Sequence, residues 1–208
     1  MTLTADEGSV LVKLARESIA HYLQTKIIDV AFPNISEALR QPSGVFVTLR
    51  NRKLGRELRG CIGFPYPNEP LSVATANAAV ASATDDARFS SVSLEELLNE
   101  ITVEVTVLGK FDVLSPGSRR DLKSMVEVGR HGILIECGSS SGILLPQVAT
   151  DYNLSSETFL AHACIKAGLM PDAWLQNDVT VKVFDGQIFE EAYPDGPVQR
   201  RALTAPEL

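Results

Sequence analysis

Two hairpin patterns constrain the fold of this chain more than any other feature of its sequence. In the first, a β-branched run from Gly44 to Arg50 is followed by a polar segment with Gly55 and a second run, Glu57 to Ile62. In the second, Gly132 to Cys137 and Gly142 to Leu145 flank a Gly-Ser turn. Strands joined by short turns pair antiparallel, and the predicted helices do not alternate with single strands. The sequence therefore predicts an α+β fold with a largely antiparallel sheet flanked by helices.

The remaining elements follow from periodicity and from helix-start signals. A capping-box pattern at Thr4 predicts that a helix begins there, the alanine-rich run Leu71 to Thr84 predicts a second, and Ser155 to Leu169 predicts a third. Ile101 to Leu108 alternates apolar and polar residues, which predicts a half-buried strand with one polar face. Leu145 to Val148 is interpreted as an ordered loop because it contains a proline.

Charge and hydropathy exclude several classes of protein. The chain has 26 acidic and 19 basic residues and a formal net charge of -7, which is the wrong sign for broad contact with a phosphate backbone. Bulk nucleic-acid binding is therefore not expected. No apolar run reaches the roughly 20 residues of a membrane helix, and the first residues carry acids where a signal peptide has bases. We expect a cytoplasmic protein with no membrane partner.

The cysteines and glycines do not form a known cofactor motif. Cys61, Cys137 and Cys164 lie far apart with no CxxC pair, so neither a structural zinc site nor a disulfide framework is predicted. The chain also lacks GxGxxG and GxxxxGK[ST] sequences, which would indicate a dinucleotide or nucleotide site. We therefore expect no metal and no cofactor.

The most unusual local string is RGCIG, which places Cys61 between Gly60 and Gly63 at the end of a predicted strand. Because glycine lets other groups approach the backbone, this string is expected to expose the thiol and nearby amides to a ligand. Arg59 and the other bases of the first hairpin would favour the thiolate or hold an anionic substrate. The alternative is that Cys61 is a small, inert core residue.

Four other residues are candidates for the same site. A nucleophilic thiol usually needs a base, and His131 lies where a loop enters a strand, although it is also a candidate turn histidine. Glu104 would orient a histidine or act as a base; the alternative is a solvated or arginine-paired strand residue. Asp86 either binds a ligand or forms a local ion pair. Gln147 either presents its amide to a ligand or binds loop carbonyls.

Several of these strings, taken in order, resemble the AMMECR family, which is named from a human chromosomal region linked to Alport syndrome, midface hypoplasia and elliptocytosis. The resemblance is carried by LRGCIG, DARF, ITVEVTVL, LLPQV and CIKAGL, and it extends from about residue 9 to 191. It implies one α+β domain in two lobes, with RGCIG near the cleft between them. It also implies a pathway shared with Memo-like and radical-SAM proteins, but no particular reaction. Residues 192–208 are predicted to form a loose tail.

Two main hypotheses of function are open, and a minor third is that the basic hairpin binds a nucleotide or an RNA end, although no pattern of stacking aromatic residues accompanies it. In the first, the chain is an enzyme in which Cys61 is the nucleophile, His131 an acid or base, and Glu104 an assisting carboxylate, while Arg59 holds an anionic small molecule. Gly60, Gly63, Asp86 and Gln147 would then contribute to substrate binding. In the second, the same residues form a binding module: the two glycines allow a protein or peptide to dock on the backbone, and the basic hairpin selects an acidic partner.

Overall fold

The described part of the chain forms the following α-helices and β-strands. The computed structural model describes residues 2–28, 35–66 and 68–204. In these residues the helices are α1 (Ala5–Thr25), α2 (Glu37–Arg40), α3 (Leu71–Thr84), α4 (Leu94–Asn99), α5 (Leu122–Met125), α6 (Pro146–Asp151) and α7 (Ser156–Lys166). The strands are β1 (Val45–Asn51), β2 (Glu57–Phe64), β3 (Ile101–Leu108), β4 (Asp112–Val113), β5 (His131–Cys137), β6 (Ser140–Leu144), β7 (Thr180–Glu191) and β8 (Val198–Arg201).

The chain divides into two compact units. The first comprises Met1–Leu108 and Gln187–Arg201, and the second comprises Gly109–Gly186 and Ala202–Leu208. Strand β7 contributes to both, because its residues up to Gly186 belong to the second unit and the rest to the first. The two lobes that the resemblance implies, and the cleft between them, stay a prediction.

The first unit is built on an antiparallel sheet with the strand order β2-β1-β3. One face of this sheet is apolar because Val45, Val47 and Leu49 of β1 lie beside the alternating apolar residues of β3. Helices α1 and α3 supply the rest of this core with their buried residues. The capping box predicted at Thr4 is present, with the Thr4 hydroxyl accepting from the Glu7 backbone N–H.

The second unit contains a further set of antiparallel strands and its own core. Strand β7 pairs with β4 on one side and with β5 on the other, and β5 pairs with β6. Helix α7 lies against β6 so closely that a Cβ atom on Gly142 would be 2.4 Å from the backbone nitrogen of Ala167. Phe159 and Leu160 of α7 are buried with Ile133 of β5 and similar residues. A glycine in β6 therefore sets the distance between helix and sheet.

The fold class predicted from the hairpins is confirmed: the structure is mixed α and β, with an antiparallel sheet flanked by helices. No helix in residues 2–28, 35–66 or 68–204 is long and apolar enough to cross a membrane.

Three local predictions are wrong. Strand β3 is buried along its whole length, so the face carrying Thr102, Glu104 and Thr106 is covered and not exposed to solvent. The segment interpreted as an ordered loop begins helix α6, because Pro146 occupies its first turn, where a missing N–H costs nothing. The predicted loose tail contains β8, which pairs with the end of β7. Residues 205–208 of that tail lie outside the described residues.

Candidate functional site

Arg59 occupies an irregular position in β2. Leu49 pairs with Gly60 and Arg50 pairs with Leu58, so Arg59 is the additional residue of a β-bulge. Its guanidinium binds both carboxylate oxygens of Glu96, at 2.7 and 3.1 Å, and also the Ser90 carbonyl. Arg59 was predicted to hold an anionic substrate, but this geometry engages its guanidinium with an anion of the protein itself.

The two glycines of the RGCIG string lie against neighbouring parts of the same unit. A Cβ atom on Gly60 would be 2.1 Å from the Ser82 carbonyl oxygen of α3, and one on Gly63 would be 2.3 Å from the Val45 carbonyl oxygen. In the space beside Gly60, the Ser82 hydroxyl donates to the Val47 carbonyl and accepts from the Ile62 N–H. The predicted close approach to the backbone is therefore real, but its partner is helix α3 or strand β1.

Cys61 is half-buried on the face of β2 opposite Gly60, and its side chain and backbone each have a defined partner. The Thr48 hydroxyl of β1 donates to the Cys61 sulfur at 3.4 Å. The Cys61 backbone N–H donates to Asp86 Oδ2 at 2.9 Å. Cys61 therefore has a polar partner at its sulfur and another at its backbone N–H.

Asp86 connects Cys61 to an arginine. Arg88 Nη2 donates to Asp86 Oδ2 at 2.6 Å, the same oxygen that accepts from Cys61, and Arg88 Nε donates to Oδ1 at 2.9 Å. The Arg88 hydrogen bonds lower the pKa of Asp86 from 3.8 to about 2, with the Cys61 and Arg88 backbone N–H groups acting in the same direction and burial opposing them. The predicted local ion pair is therefore present, and it also fixes the Cys61 backbone.

The Asp86 carboxylate makes stability depend on pH. Its pKa is lower in the folded state than in the unfolded chain, so its contribution is complete above about pH 5 and is lost as the pH falls through 4 toward 2. We expect wild type to lose about 1 kcal/mol more than D86N between pH 7 and pH 3, in urea unfolding followed by circular dichroism. D85N, which changes the exposed neighbour, is the control and should behave as wild type; equal losses in D86N and wild type would contradict the assignment.

Cys61, Thr48 and Glu104 form a polar row across three adjacent strands. Thr48 lies opposite Cys61 in the β1–β2 pair and opposite Glu104 in the β1–β3 pair, so the three side chains share one face. Glu104 is 2% exposed, and Arg201 of β8 donates to its Oε2 at 3.0 Å. The arginine-paired alternative for Glu104 is therefore confirmed. A role as a general base is not the role that this geometry favours, because the carboxylate is buried and paired.

His131 and Gln147 belong to the second unit. The His131 Nδ1 accepts from the Glu127 N–H at 3.1 Å, and the His131 N–H donates to the Glu127 carbonyl, so the side chain closes a turn at the start of β5. Gln147 is buried in the first turn of α6. The turn alternative for His131 is confirmed, while the predicted thiol–imidazole pair with Cys61 stays a prediction.

The other two cysteines provide internal references for Cys61. Cys164 is fully buried in α7, and burial, with a smaller contribution from the Asp172 charge, raises the pKa of its thiol. Cys137 is half-buried at the end of β5, with its sulfur 3.8 Å from Asp178 Oδ2. Neither thiol accepts a hydrogen bond from a hydroxyl among the contacts that the structure describes for it.

The positive charge of the basic hairpin between β1 and β2 is partly compensated by acidic residues of the same unit. Lys53 binds Glu100 at 2.7 Å, and Arg56 binds Glu190 at 2.6 Å. With Arg59 bound to Glu96, three of its bases are matched by acids of the same unit. The hypothesis that this hairpin captures an acidic partner stays a prediction, and three of the bases it would use already form ion pairs within the unit.

Sequence reasoning missed Thr48, Arg88 and Arg201 as parts of the site. Thr48 is part of a β-branched run that a strand explains fully, and Arg201 lies in the segment predicted to be loose. A signal for Arg88 is present in the string DARF, where it lies two residues after Asp86, for which a local ion pair is one of the two predicted roles. Across residues 2–28, 35–66 and 68–204, no group of three or more His, Cys, Asp or Glu residues is placed to hold a metal ion.

Comparisons with known proteins agree with this architecture. The AMMECR1 family model matches residues 12–189. A protein of Methanopyrus kandleri is 45% identical over 202 residues, which is 97% of this chain and 96% of that protein. A protein of Pyrococcus furiosus is 46% identical over 198 residues, which is 94% of this chain and 93% of that protein. The crystal structure of an uncharacterized protein from Pyrococcus horikoshii superposes with a TM-score of 0.93 at 43% identity, covering 97% of this chain and 99% of that one.

Proposed function

Because this chain belongs to the AMMECR1 family, and membership of that family does not by itself specify a reaction, we propose its activity from the geometry of the site. We infer that it is a thiol-dependent enzyme. Cys61 is the nucleophile, and the substrate is a small molecule with an acyl group and a separate anionic group. The hydrogen bond from the Thr48 hydroxyl to the Cys61 sulfur carries this proposal, because it favours the thiolate that attacks.

Arg88 is the residue that we assign to the anionic group of the substrate. It shares one oxygen of Asp86 with the Cys61 backbone N–H, which keeps its guanidinium close to the backbone of β2 at Cys61. Its side chain is 51% exposed, whereas that of Arg59 is 15% exposed and bound to Glu96. Because Arg88 Nε and Nη2 already donate to Asp86, we assign the Nη1/Nη2 edge of the guanidinium to a carboxylate or phosphate of the substrate.

The chemistry follows that of other thiol nucleophiles. The Cys61 thiol releases its proton to water, and the sulfur then forms a bond to the acyl carbon while the bond to the leaving group breaks. The leaving group departs with the electron pair of that bond. Water or another acceptor then attacks the thioester, takes the acyl group and gives up a proton, which restores the Cys61 thiol. His131 as acid or base is a further part of the proposal, and it is carried by the sequence pattern alone.

The buried acid Glu104 is compatible with a thiolate at Cys61. Glu104 and Arg201 form a neutral pair at the end of the polar row, so the carboxylate does not oppose a thiolate with an uncompensated charge.

A shared pathway with Memo-like and radical-SAM proteins is proposed from the family resemblance. Such a partner would supply or consume the substrate of Cys61.

The T48V variant tests the role of the Thr48 hydroxyl, because valine keeps the shape of threonine and removes the donor. A hydrogen bond to a charged group contributes about 1.5–3 kcal/mol, so we expect alkylation of Cys61 at pH 7 to be at least about tenfold slower in T48V than in wild type. The measurement is peptide-resolved mass spectrometry after labelling with iodoacetamide.

T106V is the matched control, since Thr106 is a buried threonine of the neighbouring β3 strand. Cys61 in T106V should label at the wild-type rate, and Cys137 should label at one rate in all three proteins. An unchanged rate at Cys61 in T48V would contradict the proposed activation of the thiol.

A further inference from the structure

The first unit contains a second concave site, at the end of β2 and the start of α3. Its cavity has a volume of about 380 Å³, within the range of small-molecule pockets. Phe64 is in register with Val45, whose side chain faces the α1 and α3 core, so Phe64 lies on the opposite face of β2 from Cys61. This cavity is therefore separate from the polar row of Cys61, Thr48 and Glu104.

The frame of this cavity is held by close backbone contacts. A Cβ atom on Gly44 would be 2.6 Å from the Pro65 carbonyl oxygen, so the chain after β2 crosses directly over the start of β1. Pro42 and Pro70 form an isolated antiparallel bridge, and the Leu71 N–H donates to the Gln41 carbonyl. The site is thus formed by backbone that is fixed on both sides of the cavity.

The lining combines exposed aromatic surface with one charge. Phe64 is 40% exposed and Tyr66 is 49% exposed, and Ile28 and Ala74 extend the apolar surface. Of the lining residues that the structure describes, Glu69 alone is charged. Exposed aromatic rings beside a single carboxylate attract organic cations, through contact of the ring face with the cation and through charge pairing.

The orientation of Glu69 is fixed by the first turns of α3. The Asn77 side-chain amide donates to Glu69 Oε2 at 3.0 Å, and Asn77 lies three residues after Ala74 on the same side of the helix. This hydrogen bond holds the carboxylate at the rim of the cavity, with its other oxygen, Oε1, as the acceptor that we assign to a ligand.

We propose that this cavity binds a small protonated amine with an apolar, preferably aromatic, body. The ammonium group donates to Glu69 Oε1, and the body of the molecule covers Phe64 and Tyr66. The proposal does not depend on the chemistry of Cys61, because the two sites lie on opposite faces of β2.

Three probes of similar size separate charge from apolar contact: phenethylamine, 2-phenylethanol and 3-phenylpropanoate. Each is titrated into the full chain labelled with ¹⁵N, and amide chemical shifts are followed. We expect phenethylamine to saturate shifts at residues 64–77 with an affinity at least about fivefold higher than that of the alcohol, and the anion to bind least.

The E69Q variant tests the assigned carboxylate. It should lower the affinity for phenethylamine to that for the alcohol and leave the alcohol unchanged, while E57Q, at the exposed start of β2, should bind all three probes as wild type does. Equal affinities of amine and alcohol in wild type would overturn the proposal and assign the cavity to neutral apolar ligands or to an apolar side chain of a partner. Retained amine affinity in E69Q would also overturn it. C61S should bind phenethylamine normally, so failure of the thiol chemistry leaves this result unaffected.

Discussion

R16M is expected to lower the free energy of unfolding by about 3–5 kcal/mol, the typical cost of removing one partner from a buried ion pair. Arg16 of α1 binds both carboxylate oxygens of Glu191 in β7 and donates to the Leu97 and Ile101 carbonyls. Glu191 also accepts from the Val103 N–H and is 2% exposed. Methionine would leave this carboxylate and two carbonyls buried without the guanidinium.

The measurement is urea unfolding at pH 7, followed by circular dichroism. K13M, which changes an exposed base three residues earlier in α1, should lie within about 0.5 kcal/mol of wild type. The double variant R16M/E191M removes the orphaned carboxylate and should recover part of the loss. A loss in R16M no greater than that in K13M would show that the buried pair does not stabilise the first unit.

G60A has the second largest expected effect, a loss of about 3 kcal/mol in the free energy of unfolding. The added methyl carbon would lie 2.1 Å from the Ser82 carbonyl oxygen, and backbone cannot rotate away as a side chain can. Strand β2 would have to move away from α3, which breaks the bond from the Ile62 N–H to the Ser82 hydroxyl.

G117A is the matched control for this substitution. A Cβ atom on Gly117 meets nothing within 4 Å, so G117A should lie within about 0.5 kcal/mol of wild type in the same urea experiment. A G60A protein as stable as G117A would mean that β2 and α3 are not in the close contact described here.

Much of the fold follows from local signals in the sequence. The Thr4 capping box and the alanine-rich run ending at Thr84 give the observed helices, because caps and small residues act locally. The errors arise at positions whose burial and partners depend on residues distant in the sequence. The polar positions of β3 were predicted to face solvent, but Glu104 is buried because Arg201, 97 residues later, neutralises it.

Only the part of the site that is contiguous in the sequence could be predicted. The RGCIG string is contiguous, so Cys61 and its glycines are evident from the sequence. Thr48 and Arg201 reach the site only through strand pairing, and their residue types are equally at home elsewhere in a sheet or tail. Arg59 was predicted to bind the substrate, whereas in the structure it lies at a β-bulge and binds Glu96. This bulge could not be predicted, because it has no signature in the sequence.

The pH profile of Cys61 alkylation in the wild-type chain tests whether Cys61 is a nucleophile. Labelling with iodoacetamide from pH 6 to 10, resolved by peptide, gives the fraction of the plateau rate that each thiol reaches at pH 7. Dividing by the plateau rate cancels differences in accessibility between Cys61 and Cys137. An ordinary cysteine reaches about 3% of its plateau at pH 7. We predict about ten times that fraction at Cys61; a fraction of about 3% at Cys61 would contradict its assignment as a nucleophile.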